Sequence, residues 1–144
     1  MSQEIWIELH TTIEDDGNKE YHVTTQSGKL YQRENMYVLL FEEQLEQNGT
    51  VKNLITIQPD KGYVSIKRSG MVSMNQKFIK NQSTENVFQH PHGNLHMETF
   101  TKSIDYQLSN TKQSSRLDID YTVQLNGQKE RNHQLSLIYK EKST

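Results

Sequence analysis

From Leu117 to Leu125 the chain reads Leu-Asp-Ile-Asp-Tyr-Thr-Val-Gln-Leu, an alternation of apolar and polar side chains with period two. Successive strand side chains point to opposite faces, so this segment predicts a strand with one oily and one wet side. The same pattern recurs at Ile5, Ile7 and Leu9 against Trp6, Glu8 and His10, and at Leu95 and Met97 against His96 and Glu98. Turn-forming residues punctuate it at Asp16-Gly17-Asn18, Ser27-Gly28, Glu34-Asn35, Asn48-Gly49, Asp60-Lys61-Gly62, Asn81-Gln82, Gly93-Asn94, Ser109-Asn110 and Asn126-Gly127. The intervening segments predict strands over 4–12, 21–26, 29–33, 36–43, 50–58, 63–68, about 71–79, 86–90, 95–103, 116–125 and 130–140. Short strands at regular spacing favour a meander closed on itself, because an open sheet of this width exposes aggregation-prone edges. The expected fold is all-β: one antiparallel barrel of about eight to ten strands spanning residues 1–144.

Register sharpens the last hairpin. A two-residue loop at Asn126-Gly127 would set Ile119 against Gln134, whereas a three-residue loop, 126–128, pairs Ile119 with Leu135, Leu117 with Leu137 and Ser115 with Tyr139. Only the second keeps oil on one face, which predicts a type I turn followed by a bulge, with positive φ at or beside Gly127. Val38 to Phe41 is apolar on both faces, so its outer side is expected to lie under a short helix or a partner chain.

Composition adds bounds. Alanine is absent while Thr, Val, Ile and Tyr are frequent, which disfavours helices. There are no cysteines, so disulfides, thiolate nucleophiles and Cys-bound metals are excluded. No apolar run approaches the roughly 20 residues of a spanning helix, and the start of the chain lacks a basic-then-apolar leader, so a soluble cytoplasmic protein is expected. Residues 1–62 carry 5 basic and 11 acidic side chains, and residues 63–144 carry 11 and 7. The densest basic segment, Lys67, Arg68, Lys77 and Lys80 around Phe78, reads as a solvated strand face rather than a nucleic-acid surface at an overall pI near 6.3.

Candidate chemistry is sparse. His90, His92 and His96 fall within seven residues, but strand parity brings at most two together locally, short of a zinc site. A two-residue Gly93-Asn94 turn would set His96 against Pro91, and a 92–94 loop would pair it with His90. Glu14-Asp15-Asp16-Gly17-Asn18 lacks the twelve-residue calcium-loop pattern and reads as an acidic turn. Asp118 and Asp120 share the wet face of their strand, and Glu42 and Glu43 alternate faces, so neither forms a catalytic pair. No catalytic residues, cofactor or metal site are nominated, and an enzyme is not the expected reading. Arg68 stands out because it continues the inward stripe of Val64 and Ile66; a buried guanidinium needs carboxylates, carbonyls or a ligand anion around it. Tyr121, Tyr139, Thr99 and Thr101 also fall on inward faces. With Arg68 they are the candidate ligand-binding residues, for a small amphipathic molecule held inside the barrel. The rival expectation is an interaction module acting through its surface, including as a homodimer.

The run Arg68-Ser69-Gly70-Met71-Val72-Ser73-Met74-Asn75-Gln76-Lys77-Phe78 resembles the signature of the YwiB-like family, a bacterial domain of unknown function. Leu9-His10, Ile13 to Gly17, Phe41-Glu42-Glu43, Gly93-x-Leu95 and Thr101 to Ile104 fit as well. The resemblance spans almost the whole chain and implies a calycin-like β-barrel, broadly that of lipocalins and fatty-acid-binding proteins, with no established activity. The Gly-x-Trp opening of secreted lipocalins is replaced by Glu4-Ile5-Trp6, with Trp6 on the face opposite Ile5 and Ile7.

Overall fold

A computed structural model describes residues 2–45, 49–108 and 114–142. Ten antiparallel strands form one nearly closed barrel among these residues: β1 (Ser2–Asp15), β2 (Asn18–Arg33), β3 (Met36–Leu45), β4 (Gly49–Gln58), β5 (Tyr63–Gly70), β6 (Met74–Ile79), β7 (Ser83–His90), β8 (Gly93–Gln107), β9 (Ser115–Leu125) and β10 (Arg131–Glu141). A single 3-10 turn, Pro59–Lys61, joins β4 to β5. Strands neighbour in the order β6-β5-β4-β3-β2-β1-β10-β9-β8-β7. The chain is therefore a meander whose first and last strands pair, Ile7 opposite Tyr139 and Leu9 opposite Leu137.

The alternating faces went where the sequence placed them. Ile5, Ile7, Leu117, Ile119 and Leu137 are buried in the interior, while Trp6 on the other face of β1 is 46% exposed. Val64 and Phe78 are fully buried, so Phe78 belongs to the core and lies on the opposite face from Lys77. The β9–β10 register is the expected one, Leu117 to Leu137 and Ile119 to Leu135.

Four local expectations need correction. The segments 21–26 and 29–33 form one strand: Gly28 is a point of close approach, where a Cβ would lie 2.6 Å from both Ile7 Cδ1 and the Leu40 carbonyl oxygen. At the β9–β10 connection Asn126 and Gly127 both have positive φ (50° and 72°), the mark of a primed turn rather than type I. The extra residue follows the turn and restores the register, and Asn126 is fixed by two bonds to β8. Its amide N–H donates to the His96 carbonyl and its Oδ1 accepts from the His96 N–H, both at 2.8 Å. Between β7 and β8 the turn is Pro91-His92, since His90 pairs with Gly93 and His96 with Val87. Neither loop weighed from the sequence is used. Finally, no helix among the described residues covers the outer side of Val38 and Leu40, which stay half-buried. The turn signal at Ser109-Asn110 lies outside the described residues, as does Asn48.

Candidate site at the open end of the barrel

Each strand contributes every second residue to the interior, and near the β3–β4 and β5–β6 connections these residues become polar. Glu43 continues the buried stripe of Leu39 and Phe41, Asn53 sits between Val51 and Ile55, Arg68 follows Ile66, and Gln76 lies between Met74 and Phe78. Pairing sets Phe41 opposite Asn53 and Asn53 opposite Arg68, so these groups converge across three neighbouring strands. Arg68 Nη2 lies 3.7 Å from Glu43 Oε1, and the same oxygen accepts a 2.8 Å bond from Asn53 Nδ2. The inward guanidinium thus finds a carboxylate partner, through one loose contact. Its Nε–H is buried and has no acceptor among the described residues.

These side chains line a hollow of about 410 Å³ together with the apolar Leu9, Phe41, Ile55, Ile66, Met74 and Leu135 and the polar Thr11, His22 and Thr24. Gln76 lines it too and donates from Nε2 to the buried Thr99 Oγ1 at 2.9 Å. The volume falls within the usual range of small-ligand sites.

The other candidate residues take different places. Thr99 and Thr101 are fully buried; Thr99 is held by Gln76, whereas Thr101 Oγ1 has no partner. Tyr121 packs edge-on to Phe78 at 4.8 Å and stacks on His133 at 5.1 Å. Burial alone pushes its phenol pKa up. Tyr139 lies four residues along β10 from Leu135, roughly 13 Å from the hollow at strand rise. There its hydroxyl meets that of Tyr106 at 2.5 Å, and Tyr37 packs on Tyr106 at 5.4 Å, so a tyrosine cluster fills the opposite end. The structure therefore joins Arg68 to Glu43, Asn53 and Gln76. Tyr121, Tyr139, Thr99 and Thr101 do not line the hollow. Strand parity was the signal for the three partners: each sits two residues from a buried apolar side chain.

Elsewhere the acidic pairs are outward. Asp118 is clasped by Arg116 and accepts a bond from Ser136 Oγ at 2.6 Å. Glu8 and Tyr21 both hydrogen-bond His10 on the outer face of β1 and β2. His90 and His92 rings lie 5.2 Å apart, and His96 approaches Glu85 instead. No helix of the described residues is long and apolar enough to cross a membrane.

Known proteins share this architecture. An uncharacterised β-barrel protein of Bacillus subtilis strain 168, YwiB, is 34% identical over 141 residues, 96% of each chain. The crystal structure of the ywiB protein from Bacillus subtilis matches with a TM-score of 0.84 at 29% identity, covering 99% of this chain and 94% of that one. The family model of a domain of unknown function, DUF1934, matches residues 7–137. With an inward-facing barrel of the same topology and a match over nearly its whole length, the chain belongs to the DUF1934 family of YwiB-like proteins.

Proposed function

We propose that this protein is a non-enzymatic binder of a small amphipathic molecule, held in the open end of its barrel with Arg68 as polar anchor. The observation that carries this reading is the Arg68 guanidinium itself. It sits on the wall of a hollow of mixed polar and apolar lining, with a buried Nε–H that no acceptor among the described residues meets. A buried charged donor without its full set of partners is costly, and an anionic or strongly accepting head group would relieve that cost while its tail lay on Phe41, Ile66 and Leu135. The Glu43 carboxylate keeps the pair close to neutral when no guest is bound. A calycin-like kinship belongs to the same reading, supported by the neighbour-to-neighbour meander, and so does a cytoplasmic setting, supported by the lack of cysteines.

Native mass spectrometry of the purified protein, compared with its denatured mass, is expected to reveal a non-covalent small-molecule adduct. With 8-anilinonaphthalene-1-sulfonate as an amphipathic anionic probe, Arg68→Met should weaken binding about tenfold or more, the loss of a charged hydrogen bond. An unadducted native mass together with equal dye affinity in wild type and variant would exclude this function. A second reading, a surface-acting module that pairs with a second copy, is favoured by one observation: Val38 and Leu40 are only partly buried on the outer face. Sedimentation equilibrium showing a dimer that Leu40→Glu dissolves would support it.

A further inference from the structure

β6 and β7 are the two end strands of the sheet, and they meet to close the barrel without a ladder. At the open end they are clasped by one bridge, in which Ser73 N–H donates to the Gln89 carbonyl (3.0 Å) and Gln89 N–H to the Ser73 carbonyl (2.8 Å). Midway, Thr84 Oγ1 donates to the Lys77 carbonyl at 2.6 Å. At the far end the two strands are joined by the turn 80–82, which is tied to β8: Asn81 N–H donates to the Thr101 carbonyl and Thr101 N–H to the Gln82 carbonyl. Every other strand junction in the described barrel carries a ladder of at least six paired positions, broken only by the bulge between Thr101 and Ser103 in β8.

Midway along the inner side of this seam, between the apolar Met74, Phe78 and Phe88, polar side chains interrupt the core. Asn86 on β7 has both its amide nitrogen and its amide oxygen buried with no hydrogen-bond partner among the described residues. Continuing the Ser73–Gln89 register along the seam sets Gln76 opposite Asn86 and Met74 opposite Phe88. Gln76 is a wall of the Arg68 hollow, so a gap at this point leads into it. Parting the strands here breaks few hydrogen bonds and lets the Asn86 amide bond water or a guest. Parting any other junction breaks a full ladder. The balance of lost and gained hydrogen bonds therefore favours opening at this one place.

We propose that the β6–β7 seam is the entrance through which a guest reaches the hollow, with Asn86 the group that favours the open form. This rests on the reading of the hollow as a binding site. The absence of native cysteines allows a clean test. Asn75 and Val87, both exposed and opposite each other on the outer face of the continued register, are changed to cysteine and bridged by 1,3-dichloroacetone. Stopped-flow association of 8-anilinonaphthalene-1-sulfonate should slow at least tenfold relative to the same variant capped with iodoacetamide. The same bridge between Lys52→Cys and Ser69→Cys, a laddered pair of β4 and β5, should leave the rate within twofold. Asn86→Leu should also slow association. Equal rates in the bridged and capped seam variants overturn the entrance.

If the unmodified protein binds no dye at all, the binding reading fails and hydrogen exchange decides the seam by itself. The Ser73 and Gln89 amides should then exchange at least a hundredfold faster than the best-protected amides of β4. Exchange as slow as those overturns the proposal.

Discussion

His133 shows how one inward residue couples the barrel to pH. It occupies the inner side of β10 opposite Tyr121, whose ring it stacks on. Burial, and then the nearby Arg131 charge, lower its pKa from 6.5 to about 4. A histidine whose folded pKa lies below its unfolded value binds its proton first in the unfolded chain. Its contribution to stability is complete above about pH 6.5 and is lost as the pH falls toward 4, a change of roughly 2–3 kcal/mol. Urea midpoints measured at pH 7 and 4.5 should therefore differ less in His133→Phe than in wild type, the carboxylates being common to both. An unchanged difference would show that His133 is protonated as readily in the barrel as outside it. At the same scale, the inward direction of Arg68, Thr99, Thr101, Tyr121 and Tyr139 was legible from parity. Which of them meet was not, because Glu43 and Gln76 reach Arg68 and Thr99 from other strands.

At the level of strands, glycine carried two meanings that composition does not separate. Gly127 takes positive φ in a turn, as its Asn-Gly context suggests. Gly28 sits within the continuous β2 and leaves room for Ile7 and for the backbone of β3. A methyl group added there must displace a carbonyl oxygen, so Gly28→Ala should cost about 2 kcal/mol or more, read as a lowered urea midpoint at unchanged m-value. An ordinary turn glycine outside the left-handed region would cost far less. The β7–β8 turn matches neither of the two loops the sequence left open, Gly93-Asn94 or 92–94, for a related reason. Pro91-His92 and Gly93-Asn94 both carry turn chemistry, and only the pairing of Val87 with His96 chooses between them. In the β9–β10 hairpin the apolar faces fixed the register, while two bonds to His96 selected the turn type.

For the whole molecule, closure depends on β10 lying between β1 and β9. It supplies the buried Leu135, Leu137 and Tyr139, and without it β1 and β9 become edges and the core opens along its length. Truncation after Lys129 should leave a chain without dispersed amide resonances or a cooperative thermal transition. A folded truncated protein would mean that the sheet is stable as an open meander. The sequence by itself determined the strand content, the inward and outward faces and the last register, because period-two patterning is a local property that sterics read directly. The tertiary structure decided which inward polar groups converge, where the barrel is left without a ladder, and how much of its interior stays unfilled. Those depend on sheet closure and on the stagger between strands distant in sequence, and no local pattern encodes either.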